Sequence, residues 1–355
     1  MKKTKMFLLL IAMLFAITLA SCGGGGGGGD GGGGGATPAP TSVNLPKTGQ
    51  TTNYATGDDG DLERGVAWPS QRFTVDGTGF CVTDNLTGLM WVGIPSGSTA
   101  TWQNALNYAN GLTFCGYTDW RLPNVNEMES LLNAGQDNTA TWLNSQGFSL
   151  VQSSYYWTSS TNASNTTYAW IVGMVGGDVL TVGKTTSYYV WPVRAGGGAP
   201  ADLPKTGQTT SYATGDDGDL ERGVAWPSQR FTVDGTGLCI TDNLTGLMWV
   251  RNANSGIATW QNALAYANGQ SICGYDDWRL PNKKELRSLI HYEQANSATW
   301  LNGQGFSNVQ ANSYWSSTTY SFATTSAWFV TMSGGDVSSF SKSGTLSVWP
   351  VRAGQ

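Results

Sequence analysis

The chain has little charge and no excess of basic residues. Lys, Arg, Asp and Glu make up 12% of its 355 residues, and the formal net charge is −5. Residues 45–195 contain 6 basic and 11 acidic side chains, and residues 203–355 contain 10 and 11. Neither half has the basic face that a nucleic acid or a sulfated polyanion requires. A neutral ligand or a protein partner suits this balance better, and nucleic acid is not expected as a partner.

Catalytic residues are also scarce. Histidine occurs once, at His291, and the first half carries Asn133 at the corresponding position. No Gly-x-Ser-x-Gly nucleophile motif is present. Asp119 and its counterpart Asp277 each precede a Trp-Arg dipeptide. Such an Asp could be one of the two carboxylates of a glycosidase, but an ion pair with Arg is the simpler interpretation. We therefore expect a non-enzymatic protein, with a hydrolase as the weaker alternative.

The longest apolar run is short and lies near the N-terminus. Residues 7–20 follow three lysines and form an apolar run of 14 residues, which is too short for a membrane span and typical of a signal peptide. The run ends in Leu-Ala-Ser-Cys, which resembles the lipobox of bacterial lipoproteins. Residues 1–21 are therefore predicted to be a lipoprotein signal peptide, and Cys22 is predicted to carry the lipid. An ordinary secretory signal with a chance cysteine is the alternative.

The residues after this cysteine predict a tether and a location. Gly23 follows Cys22 where inner-membrane lipoproteins carry Asp, so the pattern favours the bacterial outer membrane. Residues 22–44 are rich in Gly and Pro and cannot bury apolar surface, which predicts a disordered tether. The first expected partner is therefore the membrane, through the N-terminal lipid.

Only five cysteines are present, and four of them occupy equivalent positions in the two halves. Beyond Cys22, the first half contains Cys81 and Cys115, and the second half contains Cys239 and Cys273. An exported, oxidising location favours one disulfide in each half. Two buried free thiols are the alternative. A metal site is less favoured, because no His or further Cys lies nearby in sequence to complete a tetrahedral ligand set.

What the chain does contain is a long internal repeat. The stretch Val-Thr-Asp-Asn-Leu-Thr-Gly-Leu-Met-Trp at 82–91 recurs at 240–249 with Ile for Val, an offset of 158 residues. Each of the eight Trp residues in the first copy has a Trp partner in the second, which predicts that most of them are core residues. A repeat this long indicates duplication of a whole domain. We predict domains at 45–195 and 203–355, joined by a flexible linker at 196–202 that lets them move relative to each other.

The sequence pattern of each copy predicts strands, then two helices, then further strands. Apolar runs at 72–76, 80–84 and 89–92, separated by turns, predict a three-stranded meander, so the Asp-Asn pair inside the repeated stretch is a turn of the scaffold rather than a ligand site. A Thr N-cap and a Gly stop frame a first helix at 102–110, whose apolar face has helical spacing. A capping-box-like Asn124 precedes a second helix. Strands at 156–160, at 169–175 and up to Arg194 complete an α+β domain with a mainly antiparallel sheet.

An acidic loop in each copy is a candidate calcium site. Closely spaced carboxylates with a Gly between them can gather oxygen ligands around the ion. The spacing is not that of an EF-hand, and an ordinary solvated turn is the alternative. The candidate ligands are Asp58, Asp59, Asp61, Asp216, Asp217 and Asp219.

The two copies differ most in three places. Residues 93–100 differ from 251–258, and residues 161–168 differ from 319–326. The strip at 126–136 becomes basic in the second copy, where it carries Lys284, Arg287 and His291. Loops on a rigid scaffold are the usual binding surface, so these segments are candidate ligand contacts, with neutral drift as the alternative.

Six short elements recur in the same order in the two copies, two of them with small changes. They are Arg-Phe-Thr, Val-Thr-Asp-Asn-Leu-Thr-Gly-Leu-Met-Trp, Thr-Trp-Gln-Asn-Ala, Asp-Trp-Arg-Leu-Pro-Asn, Tyr-Trp-Ser-Ser-Thr and Trp-Pro-Val-Arg. Together they resemble the Lcl C-terminal domain family, which is named after a collagen-like bacterial adhesin. The first copy departs from the fifth element, with Tyr-Trp-Thr-Ser-Ser at 156–160.

The resemblance implies two tandem C-type-lectin-like domains and an exported protein, and it supplies no catalytic residues. The adhesin that names the family binds sulfated glycans, a ligand that the acidic charge of this chain argues against. We expect a non-enzymatic, lipid-anchored binding module of the cell envelope that acts in adhesion or glycan binding. A structural envelope protein that binds protein partners is the alternative. No cofactor other than calcium is expected.

Overall fold

The computed structural model describes residues 42–353, and contacts group them into one compact unit. The predicted signal peptide, Cys22 and the tether up to residue 41 lie outside the described residues. Within residues 42–353, no helix reaches the length and hydrophobicity that a membrane span requires. We name four parts of this unit: a first arm (43–66), a first lobe (67–195), a second arm (201–224) and a second lobe (225–353).

The first repeat contains four helices and nine strands. The helices are α1 Asp59–Leu62, α2 Trp102–Asn110, α3 Val125–Ser130 and α4 Thr139–Ser145. The strands are β1 Phe73–Val75, β2 Cys81–Asp84, β3 Leu89–Val92, β4 Thr99–Ala100, β5 Tyr155–Thr161, β6 Tyr168–Gly173, β7 Val179–Gly183, β8 Tyr188–Tyr189 and β9 Val193–Ala195.

The second repeat has the same order of elements. Its helices are α5 Asp217–Leu220, α6 Trp260–Asn268, α7 Lys283–Arg287 and α8 Ser297–Gly303. Its strands are β10 Phe231–Val233, β11 Cys239–Asp242, β12 Leu247–Val250, β13 Ile257–Thr259, β14 Ser313–Thr319, β15 Ser326–Thr331, β16 Val337–Ser341, β17 Thr345–Ser347 and β18 Val351–Ala353.

The predicted meander forms a small sheet in each lobe. Strands β1, β2 and β3 pair antiparallel, and β9 joins the edge of β3, giving the order β1-β2-β3-β9. The turn after β2 is held by Asp84, which is fully buried and accepts hydrogen bonds from Arg72 and from the Leu86 N–H. The Asp-Asn pair of the repeated stretch is therefore part of the scaffold, as the sequence predicts.

The remaining strands form one sheet that runs through both lobes. Its ten strands have the order β13-β17-β14-β15-β16-β7-β6-β5-β8-β4, and the lobes meet where Val337 of β16 pairs with Val179 of β7. All pairings are antiparallel except β5 with β8 and β14 with β17. The mainly antiparallel sheet of the prediction is confirmed. The described residues of both repeats form one compact unit, so the predicted domains at 45–195 and 203–355 pack against each other.

Two helices of each repeat were predictable and two were not. Helix α2 buries the expected apolar face, and α3 begins with a capping box between Asn124 and Glu127. Thr101 stands at the N-cap of α2 but its side chain makes no capping hydrogen bond, contrary to the prediction. Helix α4 escapes prediction because two β-branched Thr residues weaken its helical signal, and α1 is only 4 residues long.

The Trp residues lie mostly in the core, as predicted. Twelve of the sixteen are buried. The remaining four are half-buried and form two equivalent pairs, Trp68 with Trp142 and Trp226 with Trp300, whose ring centroids lie 5.6 and 5.7 Å apart.

Each arm reaches out of its own repeat and completes the opposite lobe. Gln50 of the first arm bonds both backbone groups of Thr319, donating to its carbonyl at 2.8 Å and accepting from its N–H at 2.9 Å. Gln208 of the second arm makes the same two bonds to Thr161. Because these bonds pair buried backbone groups of one repeat with a side chain of the other, the repeats are interlocked.

The basic strip of the second copy lies between the lobes. The Arg287 Nη2 atom lies 2.6 Å from the Glu129 Oε2 atom, and both side chains are nearly buried. The Lys284 ammonium donates to the Lys47 carbonyl at 3.0 Å. This strip was a candidate ligand surface in the sequence comparison. In the structure, the charged groups of Lys284 and Arg287 lie at the contact between the repeats instead.

Candidate binding site

The predicted disulfides are present in both lobes. Cys81 is bonded to Cys115 and Cys239 to Cys273, each across 34 positions of sequence. Each bond ties β2 or β11 of the small sheet to the loop that follows the first long helix. The cysteines are therefore structural. An Asp lies near each bonded pair, but the sulfurs are already committed to each other.

The acidic loops use their carboxylates to hold the arms in place. Asp58 caps α1 and accepts from the N–H groups of Tyr54, Ala55 and Asp61. Asp61 accepts from the Gly57 N–H. Within the described residues, these carboxylates do not form a cluster of three ligand atoms that could hold one metal ion. The geometry thus gives no support to the calcium hypothesis, which stays a prediction for Asp58, Asp59, Asp61 and their counterparts.

The middle carboxylate of each loop is buried between the repeats. Asp59 accepts hydrogen bonds from Thr48 of its own arm at 2.6 Å and from Thr318 of the second lobe at 2.7 Å. Asp217 accepts equivalent bonds from Thr206 and Ser160. Burial raises the pKa of Asp59 to about 6 and that of Asp217 to about 7, and the hydroxyl hydrogen bonds oppose the rise.

The other candidate catalytic groups have structural partners. Asp119 pairs with Arg194 at 2.7 Å, and this hydrogen bond holds the pKa of Asp119 below its usual range. Arg121, its neighbour in sequence, pairs with Glu127 instead. His291 also lies in a packed position. It is half-buried between Trp226 and Trp300, and burial lowers the pKa of its imidazole to about 4.

A groove of about 440 Å³ lies beside α4 in the first lobe. Its one aromatic lining residue is Trp142, which is held against Trp68 and packs edge-on against Phe73 at 5.7 Å. The Arg72 guanidinium lies 4.1 Å over the Trp68 ring and fixes the same cluster from beneath. The other lining residues are Gly135, Gln136, Asp137, Asn138, Thr141 and Ser145.

Two of the segments that differ between the copies meet at this groove. Gln136 ends the strip at 126–136, and its carbonyl accepts a 2.6 Å hydrogen bond from Ser321 in the divergent loop of the second lobe. Phe322 in that loop is 65% exposed. The lining residues of the groove all belong to the first repeat, and the second repeat contacts one of them through Ser321.

The equivalent position in the second lobe has different chemistry. Trp300 replaces Trp142, but Asp137 corresponds to Ala295 and Ser145 to Gly303. His291 packs edge-on against Trp300 at 4.7 Å, where the first lobe has the smaller Asn133. The sequence could not single out Trp142, because partial exposure and a place in the groove distinguish it, and both depend on tertiary packing.

The fold and these sites define a duplicated, disulfide-bonded, mainly antiparallel domain. The family model of the Lcl C-terminal domain matches residues 80–194 and again residues 238–352, which together make up more than half of the chain. The chain therefore belongs to this family, as a tandem duplicate. Both arms lie outside the matched ranges. No curated protein matches the chain.

Proposed function

We propose that this protein is a non-enzymatic binding protein of the bacterial cell envelope that binds neutral glycans in the groove beside Trp142. The observation that carries the proposal is a half-exposed, rigidly packed indole next to a set of polar side chains. Aromatic faces pack on the apolar faces of sugar rings, while amides, hydroxyls and carboxylates bond sugar hydroxyls. The two divergent segments at its border support a role in ligand selection.

The proposed anchor is the lipid on Cys22, and the proposed location is the outer membrane. Both rest on the N-terminal sequence. The proposed fold of each lobe is C-type-lectin-like. The family resemblance supports that fold, as does the combination of a small sheet with long loops. A hydrolase is the less favoured alternative. Arg194 holds Asp119 ionised, so this carboxylate is not poised to act as a general acid.

A glycan array probed with the chain from residue 37 onward tests this function. We expect binding to uncharged glycans and its loss in Trp142→Ala, because the stacking surface is removed. Trp300→Ala is the matched control. It removes an equivalent half-buried ring from the second lobe and should leave binding within about twofold. Equal loss in both variants, or no binding to any neutral glycan, would contradict the proposal.

A protein partner is the second candidate function, and one observation favours it. Strand β13 lies at an open edge of the ten-stranded sheet and carries Ile257, which is 70% exposed. An exposed strand edge can pair with a strand of another protein. Loss of a captured envelope protein in Ile257→Lys, with glycan binding unchanged, would support this alternative.

A further inference from the structure

A second kind of pocket lies where the second arm meets the first lobe. In the first lobe its volume is about 350 Å³, and Tyr212 of the second arm forms one wall. The first lobe contributes the others: Thr101, Trp102, Gln103, Lys184 and Thr185. The pocket is therefore incomplete without the arm of the other repeat. It shares no lining residue with the Trp142 groove.

A lysine lines this pocket and faces two aromatic rings. The Lys184 ammonium lies 3.8 Å from the ring centroid of Trp102 and 5.2 Å from that of Tyr212. It donates one hydrogen bond, to the Thr161 hydroxyl at 2.8 Å. Lys184 forms no ion pair within residues 42–353. The nearby Asp216 carboxylate acts on it only through its charge and accepts three backbone N–H bonds of the arm. The ammonium thus has donor capacity beyond its bond to Thr161 that a ligand can use.

The same arrangement occurs at the other junction. The Lys342 ammonium lies 3.9 Å from the ring centroid of Trp260 and 5.1 Å from that of Tyr54 in the first arm, and donates to the Thr319 hydroxyl at 2.8 Å. Every lining residue has a counterpart with the same functional group, and the sole change, Thr185 to Ser343, keeps the hydroxyl. The Trp142 groove, by contrast, differs between the lobes.

The chemistry of the pocket matches a small carboxylate with a hydroxylated body. Burial depresses the pKa of both lysines to about 8, so each ammonium is poorly solvated and gains from a negative partner. Exposed Gln103 and Thr185 stand at the rim and can bond hydroxyl groups. The Tyr212 ring offers an apolar face for a sugar ring.

We propose that the two arm–lobe pockets are equivalent binding sites for a sugar acid, one ligand in each, with the carboxylate on Lys184 or Lys342. The chain then binds two such ligands on one compact unit.

Titration calorimetry with D-glucuronate, on the chain from residue 37 onward, tests the proposal. D-Glucose is the neutral comparison, because it differs by the carboxylate. We expect two glucuronates per chain, one in Lys184→Met, one in Lys342→Met and none in the double variant. Glucose should bind at least tenfold more weakly. Lys184→Arg keeps the charge and should retain both sites, which separates loss of the ammonium from loss of the fold.

Two outcomes overturn the proposal: no glucuronate binding by the unmodified chain, or two sites remaining in Lys184→Met. The variant Trp142→Ala distinguishes the sugar-acid pockets from the proposed glycan site in the Trp142 groove. It should leave the glucuronate count at two even where neutral glycan binding is lost.

Discussion

Asp59 and Asp217 make the contact between the repeats depend on pH. Each is buried, accepts two hydroxyl hydrogen bonds and, within the described residues, lies too far from any basic side chain to form an ion pair. Their raised pKa values mean that the folded protein holds protons that the unfolded chain has already released. The stabilisation is complete below the unfolded pKa of 3.8 and is lost as pH rises through about 6 and 7.

We predict that the paired substitution Asp59→Asn and Asp217→Asn removes this dependence. We compare the free energy of unfolding of the unmodified protein with that of the double variant. The difference between them should fall from pH 4 to pH 7, by about 1.4 kcal/mol for each pH unit by which a folded-state pKa exceeds 3.8. The difference isolates the two carboxylates from His291, whose lowered pKa acts in the opposite direction. Urea unfolding at a series of pH values measures it. Asp61→Asn, in the exposed part of the loop, is the control, and a pH-independent difference would count against the account.

At the scale of elements, the arms were the part that sequence could not predict. The meander, helices α2 and α3 and the disulfides follow from local spacing and from cysteine positions, and all are found in the structure. The arms have no local signal of their destination. Gln50 bonds Thr319 across 269 positions, a pairing that only tertiary structure can reveal. The Trp142 groove was unpredictable for the same reason. The sequence contains sixteen Trp residues, and only tertiary packing determines which of them lines a groove.

Substitution of Gln50 by Leu should loosen the first arm. The side chain keeps its approximate volume but leaves the buried Thr319 N–H and carbonyl without partners, which costs roughly 1–3 kcal/mol for each group. Gln208→Leu should do the same at Thr161. Hydrogen exchange of the Thr319 amide should accelerate in the first variant and not in the second. Gln103→Leu, an exposed site, serves as the control, and unchanged exchange in Gln50→Leu would refute the arm contact.

At the scale of the whole molecule, duplication has produced two repeats that are no longer interchangeable. Glu129 and Arg287 occupy equivalent positions and form a buried ion pair across the contact. Two first repeats would bring two carboxylates together there, and two second repeats would bring two guanidinium groups together. The sequence shows that the strip at 126–136 differs between the copies and predicts a ligand surface there. The prediction is of the wrong kind of contact, because sequence alone does not show which face of a domain meets the other copy.

The central claim is that the two repeats complete each other and form one body. Cutting the linker tests this most directly. A protease site inserted after Gly197, in the exposed part of the linker, can be cleaved once the protein has folded. We predict that the two fragments then elute together from size exclusion at the volume of the intact chain, with a melting temperature within a few degrees of the uncut protein. Elution as two separate folded fragments, each about half the size, would contradict the account.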